Sequence, residues 1–549
     1  MKTGAQLFVE CLVKHQVKYV FGIPGAKIDA VFNALLDTTI KVIVCRHEQN
    51  AAFMAAAYGR LTGQPGIVLV TSGPGVSNLA TGLLTATTEG DPVIAIGGNV
   101  ARNMKLKESH QSTDNIKLME AVTKAHMEVL MVENIPEVVE NAFRAAVDPR
   151  SGAVFISLPK DILSEPTKLS CHTPPPHIHA GYAANTDIEH AVNMIHEAKF
   201  PVLFLGTEAS RSVNTKMIRE LLNHHPFPTV STYQAAGVLS RDLEKYFIGR
   251  VGLFKNQPGD KVLDLADVVI TIGYNPVEYD PETWNSARKK KIIHVDYHSA
   301  NIHSTYLPAR EVIGNIALNL EKILLLLKKS NHYHLLDAIK KIQDSLFQEI
   351  ESGANYHGNR IHPLRFIYDL RSLITDKDTI ISDIGSHYMW LARYLYSYEP
   401  HHLLFSNGQQ TLGVALPWAI ATHYARPSGN IISISGDGGF LFSAMELETA
   451  VREQITLVHC VWCDGTYNMV LEQELMKYKR ESAVRFGRID IVKFAECFGA
   501  HGFKINHSDE LIPTLKKAIS LQSPVLIEVP VDYSDNAELF KKVHDHIGN

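Results

Sequence analysis

Apolar runs rich in Val and Ile alternate along the chain with longer segments of mixed apolar and polar character, and most runs close on Gly, Pro or a polar turn. VKYVFGIPG, KVIVC, GIVLVTSGPG, PVIAIGG and AVFISLP occupy the first 160 residues. Continuous apolar runs, as opposed to alternating ones, predict strands buried on both faces, and the segments between them predict helices. The pattern is that of parallel α/β sheets. The Pro-rich polar stretch CHTPPPHIHAGYAANTD, residues 171–187, predicts a linker. A second set, PVLFLG, FPTVSTY, VVITIGYNP and KIIHVD, ends near NLEKILLLLKKS, and ESGANYHGNRIHP at 351–363 marks a second boundary. TIISDIG, HLLFSNG, IISISGDGG, TLVHCVWCDG and PVLIEVP form the third set. Three doubly wound parallel-sheet α/β domains are expected, over 1–170, 186–335 and 355–549.

Composition narrows the function classes. With 53 Lys+Arg against 58 Asp+Glu, a net charge of −5 and no long basic run, the electrostatic footprint of a nucleic-acid binder is missing. No apolar stretch reaches the roughly 18–20 residues that span a bilayer, and MKTGAQLFVECLVKHQ lacks the apolar core of a signal peptide, so no membrane partner and a cytoplasmic location are expected. Six cysteines make no disulfide framework in so long a chain. Cys460 and Cys463 read as C-x-x-C, but on a strand residues three apart point to opposite faces, and a shared metal is not expected.

The chemistry concentrates in IISISGDGGFL, residues 431–441. Gly436, Gly438 and Gly439 can bring backbone N–H groups around a phosphate, yet Asp437 among them repels one unless a cation lies between. A dinucleotide turn G-x-G-x-x-G fails, because Leu441 stands at its third glycine. Mg²⁺ takes oxygen ligands and often bridges a carboxylate to phosphates. Asp464 follows Asp437 by 27 residues, one strand, helix, strand unit later. Each acid alone reads equally well as an Asp-Gly turn. Together they predict a metal held by Asp437, Asp464 and a carbonyl near Thr466, with Gly438 and Gly439 on a diphosphate.

GDG followed by an Asn or Asp at this spacing resembles the thiamin-diphosphate motif of the decarboxylase and carboligase superfamily. NGQQTLGVALPWAI, GDGGFLFSAMELETAV, DGTYNMV, KYKRESAVRFG and PVDYSDN resemble the catabolic, flavin-independent acetolactate synthases, and the resemblance runs from YVFGIPGAKID to PVDYSDN. It implies the thiamin-diphosphate-binding fold, thiamin diphosphate and Mg²⁺ as cofactors, and a central domain without flavin. It also implies pyruvate as both donor and acceptor, with 2-acetolactate and CO₂ as products, feeding acetoin or branched-chain amino acid synthesis. The family arrangement sets the activating glutamate and the metal loop in different subunits. A homo-oligomer is therefore implied, at least a dimer and in most of the family a tetramer.

Residue by residue, Glu48 in RHEQNAA matches the glutamate that activates the pyrimidine ring; on the residues alone, an acid opening an Ala-rich helix is better read as serving the helix dipole, and the resemblance reverses that. The SGPG turn of GIVLVTSGPG fits the same domain. Leu412 in QQTLGV matches the apolar wedge between the two cofactor rings, with backbone near Gln410 and Leu412 on the aminopyrimidine. Gly385 and Ser386 in SDIGSHY match a diphosphate turn, and Tyr467 in DGTYNMV belongs to the cofactor loop. Gln111 matches a glutamine near the reacting centre, beside His110, which stands where flavin-containing relatives carry Phe. Gly25 would lie close to substrate, and Lys27 and Lys124 are candidates for its carboxylate, each otherwise a solvated lysine. Gln473 replaces a Trp that favours larger acceptors, which points to pyruvate. Cys463 and Glu472 depart from the family pattern, the second close to the expected acceptor pocket. The rival readings are a flavin-containing synthase, a simple 2-keto acid decarboxylase, and a non-catalytic relative, against which intact Glu48, Asp437 and Asp464 argue.

Overall fold

The computed structural model describes residues 1–105, 107–174, 180–328 and 333–540. Residues 175–179 of the expected linker, 329–332 near the close of the expected central domain and 541–549 of the last lie outside the described residues.

Three sheets of six parallel strands organise the chain. The N-terminal sheet comprises β1 (Tyr19–Ile23), β2 (Lys41–Val44), β3 (Gly66–Val70), β4 (Val93–Asn99), β5 (Ala125–Glu128) and β6 (Ala153–Pro159), in the order β2-β1-β3-β4-β6-β5. The central sheet comprises β7 (Pro201–Leu205), β8 (Thr229–Thr232), β9 (Phe247–Val251), β10 (Val268–Ile272), β11 (Lys291–Asp296) and β12 (Arg310–Ile313), in the order β9-β8-β7-β10-β11-β12. The C-terminal sheet comprises β13 (Thr379–Ser382), β14 (Leu403–Leu404), β15 (Ile431–Gly436), β16 (Leu457–Cys463), β17 (His501–Lys504) and β18 (Pro524–Pro530), in the order β14-β13-β15-β16-β18-β17. The two outer sheets thus share one strand order, reversing between their first and third strands. Ligands of open α/β sheets sit beyond the carboxyl ends of the strands at such a reversal.

Within these three sheets four strands were not announced by apolar runs: β5 (AHME), β9 (FIGRV), β12 (REVI) and β17 (HGFK), and all four are sheet edges. An edge strand is covered on fewer sides and needs no continuous apolar run. The exception in burial is β9, whose Arg250 is enclosed because its guanidinium donates to the carbonyls of Ala392 and Leu395 in the C-terminal domain.

Four helices position the site: α1 (Glu48–Thr62), α2 (Ala80–Glu89), α3 (Ala415–Ala425) and α4 (Asn468–Tyr478). The His47 ring accepts from the Gln49 N–H at 3.1 Å to start α1, and Gly63 at φ 71 ends it, a left-handed stop that suits glycine. The Ala-rich side of α1 is wholly buried and packs on α3, so one hydrophobic cluster runs from Val68 and Phe155 through Ala51–Ala57 to Trp418 and Leu526. Small side chains on α1 leave room for Trp418, and the Arg60 guanidinium lies 4.5 Å from the Trp418 ring centre. No described helix is long and apolar enough to cross a membrane.

Trp418 therefore joins the outer domains. Trp418→Ala is expected to cost about 3–5 kcal/mol, read as a lowered urea midpoint of the full chain; an unchanged midpoint would show that the cluster does not bear on stability.

Candidate functional site

Beyond the ends of β13 and β15, at the reversal of the C-terminal sheet, a cleft of about 170 Å³ opens. Gly385, Ser386, Gln410 and Leu412 line it, as do Asp437, Gly438, Gly439, Asp464, Thr466 and Tyr467, so every cofactor and metal residue expected in this domain converges on it. Gly438 is required by close approach: a Cβ there would lie 2.7 Å from Tyr467 Cε1. At Gly439 it would lie 3.3 Å from Asp383 Oδ1.

The two acids share the end of the sheet. Asp437 Oδ2 accepts from the Gly465 N–H at 2.8 Å and the Asp464 N–H at 3.2 Å. Asp464 accepts from the Thr466 hydroxyl at 2.6 Å and the Asn468 amide at 3.0 Å. Burial pushes the Asp437 carboxyl up to about 6, with the Asp464 charge adding, and burial also raises Asp464. A divalent cation between them would remove that cost. Among the described residues no three His, Cys, Asp or Glu side chains converge on a point, so a cation here needs further oxygens, as from a diphosphate. Two residues lining the cleft, His387 and Trp462, each carry a buried nitrogen (Nε2 and Nε1) without a protein partner. Burial lowers His387 to about 3, so it is neutral. The glycine cradle, the paired acids and an unpartnered indole donor fit a metal-bound diphosphate.

Asp383, which the sequence reasoning did not single out, shapes the cleft from beneath. Its buried carboxylate accepts from the Ile384 N–H at 2.7 Å, from the Gly413 N–H at 2.9 and 3.0 Å, and from the Ala415 N–H at 3.3 Å. It thereby fixes the backbone after Leu412, whose Cδ2 would stand 3.5 Å from a Cβ on Gly439. Burial raises this carboxyl to about 6 against those three backbone donors. Gln410 adopts φ 51, a left-handed conformation that a side-chain-bearing residue holds only under constraint.

A second cluster forms at the equivalent reversal of the N-terminal sheet. Glu48 begins α1, and its Oε2 accepts from the Asn78 side-chain amide at 2.9 Å. Oε1 faces Gly75, where a Cβ would lie 3.7 Å away. Gly25 and Gly75 both abut Thr71, whose hydroxyl is buried without a partner. Gln111, at φ 58, packs over Gly73 and accepts from the Ser72 hydroxyl at 3.4 Å. Glu48, Gln111 and Gly25 are thus gathered around the turn 71–75. Lys27 packs against Gly98 at the neighbouring strand end, and His110 is exposed beside Gln111.

Two expected residues stand elsewhere. Lys124 donates to the Asp148 carbonyl at 2.7 Å and lines a different cleft, between the N-terminal and central domains. Burial lowers its pKa. Gln473 is half-buried on α4, one turn beyond Met469, and it is Met469 and Val470 that line the cofactor cleft. Glu472 is half-buried beside it, its carboxyl raised by burial and by Asp464.

Glu446 ties the two clusters to one frame. Its buried Oε1 accepts from the Arg46 N–H at 3.0 Å, the His47 N–H at 3.1 Å and the Asn50 amide at 3.1 Å, which sets the start of α1 against the C-terminal domain. Among the described residues, none of the N-terminal domain lines the Asp437 cleft.

Comparison with known proteins gives three family matches. The thiamine pyrophosphate enzyme N-terminal TPP binding domain matches residues 2–119, the thiamine pyrophosphate enzyme central domain 188–323, and the thiamine pyrophosphate enzyme C-terminal TPP binding domain 383–529. The chain is 52% identical over 548 residues to the acetolactate synthase of Bacillus subtilis (strain 168), covering 98% of this chain and 94% of that protein. It is 44% identical to the catabolic acetolactate synthase of Raoultella terrigena, covering 98% and 97%. To the acetolactate synthase isozyme 2 large subunit of Escherichia coli (strain K12) it is 29% identical, covering 97% and 96%.

The cradle at Gly438 generates a test. Gly438→Ala must displace the Tyr467 ring, and is expected to weaken cofactor binding at least about tenfold while the protein stays folded; equal affinity for thiamin diphosphate in a titration would refute the cradle.

Proposed function

The chain belongs to the thiamine pyrophosphate enzymes, and from that premise we infer that it is an acetolactate synthase, which decarboxylates one pyruvate and joins the two-carbon unit to a second, giving 2-acetolactate and CO₂. The observation that carries this is the presence of both half-sites, each at the reversal of its own sheet, in a chain whose full-length relatives bear that name. Thiamin diphosphate, when bound, supplies the carbon nucleophile and the electron sink that decarboxylation needs. The residues of the chain do the rest. Asp437 and Asp464, with the backbone at Thr466, would hold Mg²⁺ for the diphosphate, and Gly438 and Gly439 would offer it their N–H groups. Gly385 and Ser386 close the other side of the diphosphate, the Ser386 hydroxyl donating to Asn468 Oδ1 at 2.6 Å. Leu412 would supply the apolar contact between the cofactor's rings, and the backbone from Gln410 to Leu412 would receive the aminopyrimidine. Glu48 would hold a proton at Oε1, the oxygen that Asn78 leaves free, for exchange with a nitrogen of the bound cofactor.

Gln111 and Gly25 bound the place of the reacting keto acid, with Lys27 and His110 at its edge. Lys124 is left out of this set by its bond to the Asp148 carbonyl. Gln473, with Met469 and Val470 on α4, bounds the acceptor and keeps it small. Glu48 does not line the cleft of its own chain, and we infer that Glu48 of a second copy completes it. Leu441, Phe442, Met445 and Val470, exposed near the cleft, support burial against that copy. The assembly is at least a dimer, and a tetramer by analogy. Domains over 1–170, 186–335 and 355–549 divide this work, the central one without flavin. Its sheet has the strand order of dinucleotide folds, but β7 is followed by Gly206-Thr207-Glu208, which lacks the glycine fingerprint and carries a carboxylate paired to Arg211. Six free cysteines support a reducing compartment and work in the cytoplasm.

Purified protein given pyruvate, thiamin diphosphate and Mg²⁺ without flavin is expected to release acetolactate, measured as acetoin after acid treatment. Acetaldehyde as the main product would remove the carboligase reading. Glu48→Gln is expected to lower kcat by about 10²–10⁴ with the fold retained; a rate equal to wild type would sink its assignment.

A further inference from the structure

Among the buried acids that the reaction does not use, Glu89 touches all three domains. It closes α2, is 3% exposed, and its four donors come from all three domains. Oε1 accepts from the Gly408 N–H at 2.8 Å and the Ser406 hydroxyl at 3.2 Å, both in the C-terminal domain. Oε2 accepts from Arg60 Nη2 of α1 at 3.4 Å and from the side-chain amide of Gln234 in the central domain. Arg60 is itself held by Asp91 at 2.7 Å, so one buried guanidinium is shared between two carboxylates. The same helix reaches the same loop twice more: Thr85 Oγ1 lies 2.8 Å from Thr411 Oγ1, and the Gln409 amide donates to Thr88 Oγ1 at 3.0 Å.

The gripped segment, 405–414, carries Gln410 and Leu412. Its far end is fixed by Asp383 through the N–H groups of Gly413 and Ala415. Between these anchors Gln410 keeps its left-handed φ of 51, a strained state that survives only where the surroundings over-determine it. An acceptor buried among four donors is costly to remove, because each donor is then left without a partner.

We propose that Glu89 is a positioning residue for the cofactor: from the N-terminal domain it grips Ser406 and Gly408, and with Thr85 it holds Gln410 and Leu412 in the shape that receives the aminopyrimidine. This rests on the thiamin-diphosphate reading of the cleft. A residue that merely glues domains together would lower stability and leave cofactor affinity alone. The clamp moves affinity.

The test is a titration of thiamin diphosphate, at saturating Mg²⁺, into full-length wild type, Glu89→Ala, Glu89→Gln and Thr85→Val, with pyruvate kinetics alongside. Glu89→Ala is expected to raise the cofactor dissociation constant about tenfold. Glu89→Gln keeps an oxygen for the Gly408 N–H and should recover part of the loss. Thr85→Val, which removes one hydroxyl and keeps the shape, should raise the constant about threefold and carries the test if Glu89→Ala does not fold. Cofactor constants equal to wild type in the folded variants, with only the melting temperature lowered, would overturn the clamp. Wild type that binds no thiamin diphosphate would overturn the reading of the cleft and the clamp with it.

Discussion

Two half-buried carboxylates held side by side at one cleft are the constraint around which the C-terminal domain is arranged. Among the described residues neither Asp437 nor Asp464 forms an ion pair with Lys or Arg, and burial raises both. Such a pair is unfavourable alone and becomes favourable when a divalent cation and its other ligands arrive. The surrounding features answer that need. Glycines allow a bulky anion to approach, Thr466 and Asn468 fix the orientation of Asp464, and Asn468 Oδ1 in turn receives Ser386 and Asn536 at 2.6 Å each. Strain at the site is bounded by packed strands on one side and by a covalent loop anchored at both ends on the other.

Precision here is imported from neighbouring domains. The packing of α1 on α3 and the Glu446 carboxylate set where Glu48 begins; α2 then runs from the Asn78 region, which holds Glu48, to Glu89, which holds the cofactor loop. A helix of ten residues therefore has one end in each half-site. Hydrogen bonds that cross domain boundaries contribute little net stability singly, yet they define geometry because a displaced partner leaves a buried group unsatisfied.

The sequence shows those parts of this arrangement that are local. Strands buried on both faces betray themselves as apolar runs, and the edges β5, β9, β12 and β17 escape because AHME, FIGRV, REVI and HGFK need no such pattern. Asp437 and Asp464 are legible because the strand, helix, strand interval between them is regular. Asp383 and Glu89 are not, since their partners lie 30 and 319 residues away and nothing near either acid marks the pairing. Lys124 misleads for the same reason: the carbonyl that takes its charge belongs to a turn 24 residues on. On α4 the register is the difficulty, as one helical turn separates Gln473 from Met469 at the cleft.

The shared strand order of the outer sheets has a bearing on the history of the chain. Both domains turn at the same two strand ends, so Gly25 after β1 answers to Gly385 after β13, and Gly73 after β3 answers to Gly438 after β15. The central sheet, ordered differently, stands outside this correspondence. Duplication of one ancestral domain, followed by divergence of the acids, would leave this mark: one copy carries Glu48 at the start of α1, the other the pair Asp437 and Asp464. A cofactor with two unlike ends is then met by two descendants of a single architecture.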